Sequence, residues 1–530
     1  MDNRELLKFC LEKGLLLDTE VLNLLSEVSD VESAKLILEK IKNHTGQRII
    51  TKKVFDSNRK KVSEFFLTLP PQNQQSLERL KIKLGLSIEI SKEITKEIIS
   101  ESEIGEKVYQ IQSPIGTNVG NVRIVSQNFF TNKKLEVGDF VSYFRNRFVE
   151  MRNVLQERVE LSNLVSIDKM SGNRQGISLI GLVSGKRTTK NKNVIFDIED
   201  LTGKVKVLVN QNNSELCKLA EDVALDSVIG IKGSGSKEFF FASDIIFPDT
   251  ILHERKKSDS DENVLFISDL HFGSKKFLES NFLKFIDYLN GKVPNTPEVD
   301  KIKYLFIGGD VVTGVGNYPN QERDLLIGDL EEQFSGVAEL LNKIKRDIKI
   351  IISPGNHDGV RVMEPQPIFD EKYAWPLHNL KNVILTENPC NVNIGATKNF
   401  SGFDILTYHG FSFPYYASTV PRLMVEKAMN TPEKIMKYLL LNRHLAPTHA
   451  STQYFPSEKD THFIKNIPDI FFAGHTHKSA ISYYNNILVI SGSSWEEKTP
   501  YQEKFGNEPD HCKVPMFNLK TRAVKILDFE

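Results

Sequence analysis

The sequence predicts a multidomain α/β chain. Three observations lead there: apolar residues at helical spacing near the N-terminus, a switch to a two-residue period between residues 165 and 248, and a series of short apolar runs after residue 260 that end in Asp, His or Asn. At 530 residues, typical domain sizes give three or four domains. The apolar fraction of 40% is enough for ordinary packed cores.

Residues 1–50 read as a helical domain. In "RELLKFCLEKGLLLDTEVLNLLSE", Leu6, Phe9 and Cys10, then Val21, Leu24 and Leu25, recur at helical spacing with a break at Gly14. Asp18 or Thr19 is placed to cap the second helix, and "DVESAKLILEKIKN" reads as a third. Residues 51–135 read as a flexible linker, rich in Lys, Ser, Gln and Glu and containing "LPPQNQQS".

Residues 136–255 are expected to form a helix and a barrel. "DFVSYFRNRFVEMRNVLQERV" puts Phe144, Phe148, Met151 and Leu155 on one stripe, which suits a helix packed on the domain that follows. Then "NVIFDIEDLTGKVKVLVN" alternates through Val194, Phe196, Ile198, Val205, Val207 and Val209, with a turn at Asp200 to Gly203. With "ISLIGLVSGKR" before it and "SVIGIKGSG" and "EFFFASDIIF" after it, this is the strand pattern of a five-stranded OB barrel. Such barrels bind single strands through aromatics. Three phenylalanines in a row, Phe239 to Phe241, fit alternation between core and rim better, and a scaffold role is the preferred reading.

Residues 256–530 hold the chemistry. "VLFISDLHFG" ends an apolar run in Asp269 and His271, and "YLFIGGDVVTG" ends another in Asp310. "ISPGNHDGVR" follows Ile350 to Ile352 with Asn356, His357 and Asp358. "DILTYHGFSF" delivers His409, and "DIFFAGHTH" delivers His475 and His477. Gly, Asn and Asp in one such stretch would make an ordinary turn, and any one histidine is more often a core residue than a ligand. Five such endings in order are a site, because α/β crevices lie at the carboxyl ends of buried strands. Among the groups they supply, two carboxylates, one amide oxygen and four imidazoles suit a pair of divalent metals. Mixed O/N ligation without sulfur fits manganese, iron or zinc rather than calcium. Two such ions clamp a phosphoryl group and activate water. Asp310 is the natural bridge between them.

The order D-x-H, G-D, G-N-H-D, H-G, G-H-x-H resembles that of the calcineurin-like metallophosphoesterases, over roughly residues 262–500. The resemblance implies a layered α/β/β/α domain. It implies Asp269, His271, Asp310 and His477 around one metal, and Asp310, Asn356, His409 and His475 around the other. His357 takes the place of the family's catalytic histidine that assists the leaving oxygen, with Asp358 expected to orient it. The ions implied are manganese first, with iron, zinc or magnesium as alternatives. The blocks "GVGNYPNQERDLLIGDLEEQF", "SPGNHDGVRVMEPQPIFDE", "NRHLAPTH" and "SGSSWEEKTPYQEKFG" further resemble the small subunits of archaeal family D DNA polymerases. That likeness implies a 3′–5′ proofreading exonuclease acting on single-stranded or mismatched DNA 3′ ends, bound to a large polymerising subunit. Trp495, Tyr501 and Phe505 are candidate anchors for that partner, with packing of the last strands as the alternative.

Other classes fare less well. A stand-alone phosphodiesterase for small molecules needs only the metal ligands and not the added domains, and a non-catalytic assembly subunit does not need an intact ligand set. A net charge of −1 argues against a chain that coats DNA unaided, despite basic runs at 52–61 and 186–192. Cys10, Cys217, Cys390 and Cys512 are scattered without a C-x-x-C pair, as in a reduced, cytoplasmic protein. No apolar run approaches a membrane span.

Overall fold

The computed structural model describes residues 3–18, 21, 35, 38, 42, 49–50, 121–125, 135–170, 174–457, 459–504 and 506–530. The chain divides into two compact units, Met1–Glu106 and Lys107–Glu530. In the first, a helix spans Asn3–Glu12, and β1 (Leu16–Leu17) runs parallel to β2 (Ile49–Ile50). Cys10, Leu15, Val21 and Leu38 are buried there. The expected second and third helices fall largely outside the described residues, as do 51–120 of the expected linker.

The second unit begins with a departure from the linker expectation. Val122–Ile124 forms strand β3, which pairs antiparallel with a strand of the C-terminal domain. Three residues with alternating apolar character carry too weak a periodicity to be seen without the sheet edge that receives them.

The helix Val137–Gln156 follows, its start closed by a reciprocal Glu136–Asp139 capping box. Its stripe of Phe148, Met151 and Leu155 packs on the barrel through Ile180, Leu182, Val228 and Ile246. The barrel strands are β4 (Arg174–Thr188), β5 (Val194–Glu199), β6 (Lys204–Val209), β7 (Val228–Gly235) and β8 (Phe239–Ile246). They close in the order β4-β5-β6-β8-β7, with a helix over Ser214–Asp222 between β6 and β7. All six alternating residues of β5 and β6 named above lie in its core. Phe240 points inward, while Phe239 and Phe241 stand outside with ring centroids 5.3 Å apart.

The remaining strands build two facing sheets. One contains β9 (Asn263–Ile267), β10 (Ile302–Gly308), β11 (Lys349–Ser353), β12 (Val383–Leu385), β18 (Lys513–Asn518) and β19 (Val524–Asp528), in the order β12-β11-β10-β9-β18-β19. The other contains β13 (Cys390–Ile394), β14 (Phe403–Tyr408), β15 (Ile470–Ala473), β16 (Ala480–Tyr484) and β17 (Ile487–Ser491), in the order β16-β17-β15-β14-β13-β3. Phe266, Phe306 and Ile351 of the first sheet share a core with Val392, Ile405 and Phe472 of the second. Helices Glu279–Leu289 and Leu330–Asn342 cover the outer face of the first sheet, and Pro432–Asn442 that of the second. This is an α/β/β/α sandwich.

Trp495 takes the packing alternative of its two readings. It is fully buried against Phe282 and Phe285, so it belongs to the core and offers a partner nothing. Phe505 and the side chain of Tyr501 lie outside the described residues. All four cysteines are free and buried. Among the described residues no helix is long and apolar enough to cross a membrane.

Candidate metal centre

Each of the five apolar runs is a buried strand, and all five end at one place. β9, β10 and β11 run parallel in one sheet, and β14 and β15 run parallel in the other. Their carboxyl ends therefore converge across the sandwich. Asp269, His271, Asp310, His475 and His477 all take positive φ, between 49° and 70°. Left-handed backbone at a non-glycine residue costs on the order of 1 kcal/mol or more and persists only where the surroundings impose it. Here the loops are stitched together: Asp269 N–H donates to Gly309 O (2.9 Å), His271 N–H to Asp310 O (3.0 Å) and Gly474 N–H to His409 O (2.9 Å). Gly309 is required for space as well as for its φ of +89°, since a Cβ there would come within 2.5 Å of His409 Nδ1.

The side chains form two groups. Asp269, His271 and His477 make the first, and Asp310, His409 and His475 the second, with the ligand atoms of each within 4.8 Å of one another. In the first, His271 Nε2 and His477 Nε2 are 3.0 Å apart, and Asp269 Oδ1 is 3.5 Å from His477 Nε2. In the second, His409 Nε2 is 3.1 Å from Asp310 Oδ2, 3.1 Å from Asn356 Oδ1 and 3.3 Å from His475 Nδ1. Asp310 Oδ2 also lies 3.9 Å from His271 Nε2, so this one oxygen faces both groups. Its partner Oδ1 accepts the His357 N–H at 2.8 Å. His409 donates Nδ1–H to Gly308 O (2.9 Å), which turns Nε2 toward the centre.

Electrostatics follow from burial. Burial pushes the Asp269 carboxyl up to about 7, with the charge of Asp310 adding to it. Burial alone would raise Asp310 too, but the imidazoles of His409 and His357 outweigh it and hold that carboxyl well below its usual range. Burial takes His271 down to about 3, and takes His475 and His477 well below the ordinary imidazole value, with neighbouring imidazoles adding to the effect. His409 goes the other way: against burial, Asp310 raises it to about 10. Buried oxygen and nitrogen donors converging without sulfur fit two divalent transition metals.

His357 stands beside the first group, its ring centroid 5.0 Å from that of His271. Its orientation has a different source from the one expected. Asp358 makes no hydrogen bond to the imidazole; its carboxylate accepts Val312 N–H (2.9 Å) and Gly355 N–H (2.7 Å) and so binds two loops together. Thr313 O holds His357 Nδ1 at 3.0 Å instead, with Asn317 Nδ2 at 3.2 Å, and Nε2 is left for chemistry. Asn317, Gln366 and Asn388 all support the centre; Asn317 and Gln366 fall inside the family-like blocks and Asn388 outside them, and no ligand spacing singles out any of the three.

Comparison with known proteins identifies the family. Residues 262–479 match the calcineurin-like phosphoesterase family. The chain is 35% identical over 398 residues to the DNA polymerase II small subunit of Methanothermobacter thermautotrophicus, covering 74% of this chain and 80% of that one. It is 33% identical over 520 residues to the Pyrococcus horikoshii protein of the same name, covering 95% and 79%. Against the Pyrococcus furiosus protein the identity is 38% over 400 residues, and there the chain spans less than two thirds (63%) of its relative.

Proposed function

The chain belongs to the DNA polymerase II small-subunit family, and from that premise we propose that it is a metal-dependent 3′–5′ exonuclease that trims single-stranded or mismatched DNA ends for a polymerase. The observation that carries this reading is the convergence of all seven predicted ligands into two groups that share Asp310 Oδ2. Asp269, His271 and His477 would hold one ion, and Asn356, His409 and His475 the other, with Asp310 between. Two divalent ions, manganese first among the candidates, would polarise the phosphoryl oxygens and activate the attacking water.

The chain's own residues supply the rest. His357 is fixed through Nδ1, so its Nε2 is the atom available to deliver a proton to the departing 3′ oxygen. In that hydrolysis water adds its oxygen to phosphorus, the P–O3′ bond breaks, and the released 3′ oxygen takes the proton. Asp310 Oδ1 receives the His357 backbone N–H, so the shared carboxylate and the proton donor are locked in register.

The barrel, with its strand order and its helix between the third and fourth strands, supports the OB reading. We assign it, with the helix before it, a scaffolding role toward a large polymerising subunit. The test is direct: purified chain with manganese, offered 3′-labelled mismatched primer-template and a small chromogenic phosphodiester. Release of mononucleotides from the 3′ end supports the reading. Cleavage of the small ester alone points to a small-molecule enzyme, and no cleavage of either to an assembly subunit.

A further inference from the structure

Two buried carboxamides, Gln366 and Asn388, lie between the loops that carry Asn356 and His409. Both are essentially without solvent contact. Their backbones form a bridge, Gln366 N–H to Asn388 O (2.7 Å) and Asn388 N–H to Gln366 O (3.1 Å). Their side chains repeat the pairing: Asn388 Nδ2 donates to Gln366 Oε1 at 2.7 Å. The free end of each then reaches a ligand loop. Gln366 Nε2 donates to Gly355 O at 3.1 Å, one residue before Asn356. Asn388 Oδ1 accepts the backbone N–H of His409 at 2.8 Å. Among the described residues this is a continuous chain of bonds, Gly355–Gln366–Asn388–His409, that spans the gap between the two sheets.

We propose that Gln366 and Asn388 are positioning residues for one of the two metals: they set the separation of Asn356 from His409. This rests on the metal-centre reading above. The chemistry favours it, because a carboxamide donates from one atom and accepts at another, so it can link two loops without bringing a charge next to the carboxylates. Burial makes the link exacting, since each unpaired amide group would carry its full desolvation cost. It is also specific to one ion, because Asp269, His271 and His477 are held by other loops and receive none of these bonds.

The test counts metal. Parent protein, Gln366→Met, Asn388→Leu and Asn356→Ala are equilibrated with graded manganese, and bound ions are measured by elemental analysis after dialysis. The control is Asn263→Leu, which breaks buried bonds to Asn518 and to Glu298 O at the far end of β9. The parent is expected to bind two ions. Both clamp variants should bind the ion that Asn356→Ala loses about 10–100-fold more weakly, in line with losses of supporting partners at metal sites, and keep the other. Turnover on the small phosphodiester should fall with it while KM changes little. Asn263→Leu should lower the melting temperature without altering either ion. Should Gln366→Met give no cooperative melt, Gln366→Glu is read by the same criterion, since it keeps the acceptor for Asn388. Equal weakening of both ions, unchanged binding in the clamp variants, or the same pattern in Asn263→Leu would overturn the assignment. A parent that binds fewer than two ions would overturn the metal-centre reading itself, and that result is visible before any variant is measured.

Discussion

Asp310 divides its two oxygens between different tasks, one facing both ligand groups and the other receiving the His357 backbone. Replacing it with Asn keeps the shape and removes the charge. Asp310→Asn is therefore expected to fold, to bind both ions more weakly and to lose DNA cleavage; digestion at the parent rate in limiting manganese would contradict the assignment. His357 separates catalyst from ligand. His357→Ala should keep both ions by elemental analysis and lose roughly 10²–10⁴-fold in turnover, the usual range for a general acid. At this scale the sequence was highly legible. The seven proposed ligands and His357 sit in short motifs because strand, turn and side chain are adjacent in the chain. What was not legible is the orientation of His357: Asp358 follows it directly, yet the bond comes from Thr313, whose position depends on a loop from another strand.

The helix Val137–Gln156 shows what element-level reading reaches and where it stops. Its apolar stripe and its packing on the barrel follow from periodicity alone. One turn away, Arg147 is 1% exposed and its guanidinium donates to Asp460 Oδ2, which also meets His444 Nε2 at 2.8 Å. Tyr143 donates to Asp460 Oδ1 at 2.6 Å, and His462, whose N–H reaches the same oxygen, contacts Glu364 at 2.9 Å. Glu364 in turn accepts from Tyr408, the residue before His409. A charged residue on a helix reads as solvent-facing until its partner is known, and this partner lies 313 positions away. Removing one member of a buried ion pair strands the other, at a cost of about 3–5 kcal/mol. Arg147→Met should lower the unfolding free energy of the chain by that order, measured by equilibrium urea denaturation with manganese absent. A change within about 0.5 kcal/mol, the range of ordinary surface substitutions, would mean that this knot does not hold the helix to the sandwich.

On the scale of the whole molecule, the strand Val122–Ile124, whose three residues complete a distant sheet edge, escaped the sequence, and the burial of Trp495 decides between its two readings in favour of packing. The charge balance remains. Affinity for DNA comes largely from neutralised phosphates, and a chain of net charge −1 has few cations to spare. Several basic groups on the surface of the phosphoesterase domain are already paired, as Lys498 is with Glu508 and Lys525 with Glu298. The small phosphodiester needs only the metal centre, whereas a 3′ end has to be brought to it and held. The isolated chain is therefore expected to cleave the small ester at a rate that adding the large subunit leaves unchanged, and to cleave mismatched primer-template poorly until that subunit is present. The salt dependence should divide in the same way, because phosphate contacts are what salt weakens. With both proteins, the DNA rate should fall steeply between about 50 and 200 mM salt, the range over which such contacts are lost, while the ester rate stays flat. Measuring kcat/KM for both substrates, with and without the partner and across that range, tests this. Equal DNA rates with and without the large subunit would place the substrate-holding surface on this chain after all.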